Sequence, residues 1–125
     1  MEDKKPNKIL IVDDDPAFVA GLTTFLSGHG YEVAAAEDAT NAMVRARDKD
    51  MLLLILDLWL PGGGGYFVLE NLRRITKAAK LPIIVSTANI SKGAKEKAIG
   101  MGANDFIAKP YDLEDLLSKI KLLCR

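Results

Sequence analysis

LLLILDLWLP, residues 52–61, is five apolar side chains closed by an aspartate, Asp57, then three more apolar residues and a proline. An apolar run with no polar alternation is buried on both faces, the habit of a central strand in a parallel sheet. Two other stretches share its form. ILIVDDDP, residues 9–16, places Asp13, Asp14 and Asp15 directly after Ile9–Val12. DFIAKP, residues 105–110, places Lys109 after Phe106–Ala108. If the three runs are parallel strands of one open sheet, their C-terminal ends share one edge, and ligands bind at that edge in such sheets.

Between these runs the periodicity becomes helical. Lys8–Asp13 reads as the first strand, and Asp15 with Pro16 as the cap and first position of a helix. Phe18, Leu22, Phe25 and Leu26 lie on one face of that helix, and Ser27–Gly30 ends it. Tyr31–Ala36 reads as a second strand, and Ala42, Met43 and Ala46 as the inner face of a second helix. Leu52–Asp57 is the third strand, Pro61–Gly65 a loop, and Val68, Leu69, Leu72 and Ile75 the next helical face. Pro82–Thr87 reads as a fourth strand, and Lys92–Met101 as a helix with a thin apolar face of Ala94, Ala98 and Met101. Asp105–Ala108 is a fifth strand, and Leu113, Leu116, Leu117, Ile120 and Leu123 form a last helix capped by Asp112.

Five strands alternating with five helices predict an α/β, flavodoxin-like, doubly wound parallel sheet of order 2-1-3-4-5. That order sets the first and third strands side by side, so Asp13, Asp14 and Asp57 converge. Residues 1–125 read as a single domain with no output domain in the chain.

Composition narrows the function classes. With 17 Lys plus Arg against 17 Asp plus Glu, the formal charge is zero and no basic face is forced, so direct nucleic-acid binding is not expected. The longest apolar run, Met51–Leu56, is too short to span a bilayer, and the charged start MEDKKPNK has no signal-peptide core. The one cysteine, Cys124, forms no internal disulfide. A cytoplasmic location away from the membrane fits these features.

The clustered acids demand a counter-charge. Two unit charges in contact at an effective dielectric of about 20 repel by roughly 4 kcal/mol. A hard divalent cation with oxygen ligands relieves that repulsion, which points to Mg²⁺, with Mn²⁺ as a substitute. The only histidine is His29, set in a Gly-His-Gly turn, and there is no Cys cluster to select a softer metal. A carboxylate beside Mg²⁺ is also a nucleophile toward phosphorus. Phosphoryl transfer then asks chiefly for in-line placement and charge neutralisation. Lys109 and the hydroxyl of Thr87, both at strand ends, suit the transferred oxygens.

Over almost its whole length the chain resembles the receiver domain of two-component response regulators. The matching pieces are ILIVDDDP, LLLILDLWLPGGGG, LPIIVSTA and GANDFIAKP, in the family's order and spacing. The resemblance implies that Asp57 is the phosphoacceptor. It makes Asp14 a direct metal ligand, Asp13 one acting through water, and the backbone carbonyl of Trp59 a further ligand. Thr87 and Lys109 would contact the phosphoryl group, and Phe106 would be the switch aromatic. The Lys109–Pro110 peptide would be cis. A sensor histidine kinase or phosphotransfer protein would supply the phosphoryl group to a phosphorylation-dependent signalling switch. An unknown downstream protein would read the surface of the fourth helix, fifth strand and fifth helix. The molecule would be a monomer or a phosphorylation-induced dimer. Asn89 occupies the position from which the family tunes dephosphorylation.

This sequence departs from the pattern at two places. Gly64 stands near where an acidic or polar residue is common, and Trp59 stands where Met is usual. The Trp59 ring either packs on its own loop or shields the acyl phosphate from water. An alternative to the switch is a phosphohydrolase of the haloacid dehalogenase type, with Asp13 as nucleophile and Asp15 as acid. Against it, Pro16-Ala17 follows the acids and no cap insertion is evident. A pseudo-receiver scaffold is a third reading, opposed by intact Asp57, Thr87 and Lys109.

Overall fold

The computed structural model describes residues 6–61, 64–75, 78–88 and 91–124. Five strands, β1 (Lys8–Val12), β2 (Glu32–Ala36), β3 (Met51–Leu56), β4 (Ile83–Thr87) and β5 (Asp105–Ala108), form one sheet of order β2-β1-β3-β4-β5. Every pairing is parallel, as the alternation of elements predicts. The helices are α1 (Pro16–Gly28), α2 (Ala39–Arg45), α3 (Gly64–Leu72), α4 (Ala94–Gly100) and α5 (Leu113–Leu123).

Side-chain alternation along the strands divides the core in two. Leu10, Val12, Leu54, Leu56, Ile83 and Val85 pack with the buried residues of α2, α3 and α4. Ile9, Ile11, Leu53, Ile55, Ile84 and Ile107 pack with Leu22 and Leu26 of α1 and Leu116 and Ile120 of α5. Leu53, Leu54 and Leu56 are wholly buried and Ile55 nearly so, consistent with a central β3. Each such side chain contributes about 1.5–3 kcal/mol of hydrophobic stabilisation.

Local chemistry sets the element ends. The Asp15 carboxylate accepts from the backbone N–H groups of Ala17 and Phe18, capping α1. Asp38 does the same for α2 through Asn41 N–H at 2.8 Å. Asp112 stands at the N-cap position of α5, but its side chain caps nothing. The helix α3 begins at Gly64, inside the stretch that sequence reading leaves as loop. The cause is an approach that glycine alone permits: Gly65 N–H donates to the Leu58 carbonyl at 2.9 Å, so the first turn of α3 lies on the backbone that follows β3. The helix α4 is shorter than its periodicity suggests and buries only Ala94 and Ala98.

One side chain joins two loops on the far side of α3. The Arg73 guanidinium donates to the carbonyls of Ala78, Ala79 and Leu81 ahead of β4, and to the Gly102 carbonyl ahead of β5. It also donates to Asn104 Oδ1 at 3.0 Å, and that oxygen accepts from Ile83 N–H at 2.8 Å. Arg73→Lys keeps the charge but cannot reproduce the fork. A loss of about 2–3 kcal/mol of stability is expected, read as an earlier urea midpoint at unchanged slope. An unchanged midpoint would show that solvent replaces the lost donors at no cost.

Candidate functional site

The register of the sheet assembles the site. Val12 is paired with Leu56, so the residues that follow, Asp13 and Asp57, emerge together from the two central strands. Asp57 N–H donates to the Val12 carbonyl at 2.9 Å, and Asp13 N–H to the Ala36 carbonyl at 3.1 Å. Both carboxyl groups are oriented in the same way. Asp13 Oδ1 accepts from Asp15 N–H at 3.0 Å, and Asp57 Oδ1 from Trp59 N–H at 3.1 Å. Such bonds from an aspartate to the backbone two residues on are Asx turns. They leave the two Oδ2 atoms facing a common partner.

That partner is Lys109. Its Nζ lies 2.6 Å from Asp13 Oδ2 and 3.3 Å from Asp57 Oδ2. Asp13 and Asp57 are buried, at 3% and 7% exposure, so this is a desolvated charge cluster rather than a surface ion pair. Burial pushes the Asp13 carboxyl above the usual carboxylate range, against the pull of Lys109 and of Asp15 N–H. Burial alone would lower Lys109, but its bond to Asp13 and the charges of both acids outweigh it and hold the ammonium above its ordinary value. Asp14 is exposed at the mouth of the site. Oxygens of Asp13, Asp14 and Asp57 all lie within 4.8 Å of one another. Three hard oxygen donors at that spacing fit a divalent cation such as magnesium.

The other expected residues lie beside this cluster. Thr87 is fully buried at the end of β4, and its carbonyl accepts from Lys109 N–H at 2.9 Å. Phe106 is half-buried opposite Val85 and packs on the core shared with α2, α3 and α4. The Lys109–Pro110 peptide is cis. Trp59 is 63% exposed, and what the structure ties to Asp57 is its backbone N–H. Asp15, the acid of the hydrolase alternative, is exposed and occupied as the α1 cap. Asn89, Gly62 and Gly63 lie outside the described residues.

These features meet in comparisons with known proteins. The model of the response regulator receiver domain matches residues 9–121. The chain belongs to the response regulator receiver family. It is 35% identical over 118 residues to the DNA-binding dual master transcriptional regulator RpaA of a Synechocystis species, covering 94% of this chain and 49% of that one. It is 34% identical to the transcriptional activator protein IrlR of Burkholderia pseudomallei, with 94% and 50% covered. This receiver thus spans about half the length of those curated relatives. Among solved structures it superposes on one described as a response regulator from Chloroflexus aurantiacus, at TM-score 0.89 and 35% identity, covering 96% and 98% of the two chains. It also superposes on the receiver domain of a sensor histidine kinase from Pseudomonas aeruginosa, at TM-score 0.86 and 28% identity, covering 94% and 97%. That structure has a magnesium ion coordinated in its active-site cleft. No helix among the described residues is long and apolar enough to cross a membrane.

Sequence reasoning missed a second layer behind Lys109. Tyr111 sits against β4, its hydroxyl 2.8 Å from Ser86 Oγ, with Ser86 almost fully buried. Burial raises the Tyr111 hydroxyl above the usual tyrosine range, against the bond to Ser86 and the nearby Lys109. The folded state therefore holds this proton more tightly than the unfolded chain does. Its contribution to stability is complete below about pH 10 and is lost as pH rises through the higher folded-state value. Urea unfolding between about pH 9 and 11 is expected to show a steeper alkaline loss for the wild type than for Tyr111→Phe. Equal slopes would mean that Tyr111 ionises alike in both states.

Proposed function

We propose that this receiver is a phosphorylation switch that accepts a phosphoryl group on Asp57. The observation that carries the reading is the Lys109 ammonium shared by two buried carboxylates at the ends of β1 and β3. Such a cluster, charged and shielded from water, is the electrostatic setting that phosphoryl transfer needs. In the forward step an Asp57 oxygen attacks phosphorus, the bond to the donor breaks, and an acyl phosphate forms on the side chain. With a histidine kinase or phosphotransfer protein as donor, the broken bond is phosphorus to imidazole nitrogen.

Asp13, Asp14 and Asp57 would hold magnesium with the backbone carbonyl of Trp59, and manganese would serve in its place. The bound cation supplies neutralisation of the acids and of the incoming phosphoryl oxygens. Lys109 then balances charge on the transferred group, and the Thr87 hydroxyl donates to one of its oxygens. The added charge and acceptor atoms draw Thr87 toward the site. Phe106 shares the Thr87 side of the sheet, one diagonal step away, and follows by repacking. The small buried face of α4, only Ala94 and Ala98, makes that helix easy to shift. The surface formed by α4, β5 and α5 is therefore the one offered to a downstream protein or to a second copy of the chain.

Incubation with a small acyl phosphate and Mg²⁺, followed by intact-mass measurement, tests the reading. Gain of one phosphoryl group, blocked by a chelator, is the expected result. No gain from either a small donor or a phosphorylated histidine-containing domain would refute it.

A further inference from the structure

Lys109 is held on three sides, and only two of them are carboxylates. The third is aromatic: the Lys109 Nζ lies 4.1 Å from the centroid of the Phe18 ring, over its face. A π face attracts a cation, changing an equilibrium by roughly two- to thirtyfold according to how well water is excluded. Phe18 is itself fixed at both ends. Its N–H donates to the Asp15 carboxylate at 3.3 Å. Its ring meets that of Tyr111 nearly edge-on, with centroids 6.3 Å apart at 80°. Tyr111 in turn bonds to Ser86, the neighbour of Thr87 on β4. An unbroken set of contacts therefore runs from the strand that carries Thr87, through two rings, to the ammonium.

We propose that Phe18 is a positioning residue for phosphoryl transfer: its ring face, braced by Tyr111, keeps the Lys109 ammonium against Asp13 and Asp57. This rests on the phosphoacceptor reading for its effect on rate, though not for its effect on the side chain. Without the ring, the long and flexible lysine stem has more rotamers open to it, and fewer of them point between the acids. An aliphatic residue fills much the same space and supplies no attraction to a cation. A hollow of about 410 Å³ beside Phe18, bordered by Gly21 and Leu113, leaves room for a larger ring.

The test compares wild type, Phe18→Leu, Phe18→Trp and Tyr111→Leu in the full chain. The first readout is carbon–proton NMR of the Lys109 ε-methylene, which is bonded to the nitrogen that lies over the ring and is expected to feel the ring current. Phe18→Leu is expected to abolish the upfield shift and lower the order parameter at that carbon, and Phe18→Trp to keep both. Tyr111→Leu, which leaves the ring unbraced, is expected to lower the order parameter too. The second readout is the rate of phosphorylation by acetyl phosphate with Mg²⁺. It should fall about three- to tenfold in Phe18→Leu and stay within about twofold of wild type in Phe18→Trp. An unchanged order parameter in Phe18→Leu, or equal slowing by Leu and Trp, would overturn the proposal. If the wild type itself accepts no phosphoryl group, the receiver reading fails, and the order parameter alone decides whether Phe18 positions Lys109.

Discussion

Asp57→Asn is expected to end phosphoryl uptake altogether while leaving the fold intact. The amide is nearly isosteric with the carboxylate and keeps an oxygen to accept from Trp59 N–H, so the loop after β3 should hold its shape. It cannot attack phosphorus, because its oxygen carries no full negative charge and no stable product follows. Its nitrogen would also stand where Asp57 Oδ2 now meets the ammonium, 3.3 Å from Lys109 Nζ. Intact mass after exposure to an acyl phosphate and Mg²⁺ should show one added phosphoryl group in the wild type and none in the variant. Asp13→Asn is the necessary companion, since Asp13 is just as buried and closer to Lys109, at 2.6 Å. That variant should still accept the group, more slowly. Uptake that survives Asp57→Asn and disappears in Asp13→Asn would move the nucleophile to β1 and restore the hydrolase alternative.

Gly65→Ala is expected to cost about 3 kcal/mol or more, and to slow phosphorylation even where the chain stays folded. A methyl group at this position would come within 2.6 Å of the Leu58 Cα and closer still to the Asp57 carbonyl oxygen. Both are backbone atoms, so no rotamer change relieves the clash. Either the first turn of α3 lifts off, breaking the bond from Gly65 N–H to the Leu58 carbonyl, or the segment carrying Asp57 moves. The second response displaces Asp57, the proposed acceptor, directly, and a displacement near 1 Å costs about 100-fold in such chemistry. Urea unfolding and the rate of uptake should therefore worsen together. Gly21→Ala, mid-helix in α1 where the new methyl meets nothing within 4 Å, is the matched control: it should raise stability by up to about 1 kcal/mol and leave the rate of uptake unchanged.

The contrast between these glycines shows what a sequence discloses and what it conceals. Asp13, Asp57 and Lys109 were legible because each ends an apolar run, and the rules for parallel sheets bring such ends to one edge. The strand order followed from alternation and connection length. Gly65 read as one of four consecutive glycines in a loop, since nothing in the string marks which one touches Asp57. Phe18 read as part of the apolar stripe of α1, which it also is, because a ring over a lysine and a ring in a core share one helical period. Arg73 carried no signal at all. A charged residue directly after α3 suggests a solvated position, and its partners lie as many as 31 residues away. Contacts set by tertiary approach, unlike those set by periodicity, leave no local trace.

The Arg73 fork bears on how this receiver moves. It pins the turn just beyond the C-terminal end of α4 through Gly102 and Asn104. The opposite end of that helix begins at Gly93, whose left-handed backbone carries no side-chain cap. With no side-chain cap at that end among the described residues, the helix is expected to swing about its clamped tip instead of sliding. Displacement should therefore grow along α4 from Met101 toward Ala94, with its largest arc nearest the edge of the sheet that carries Asp57.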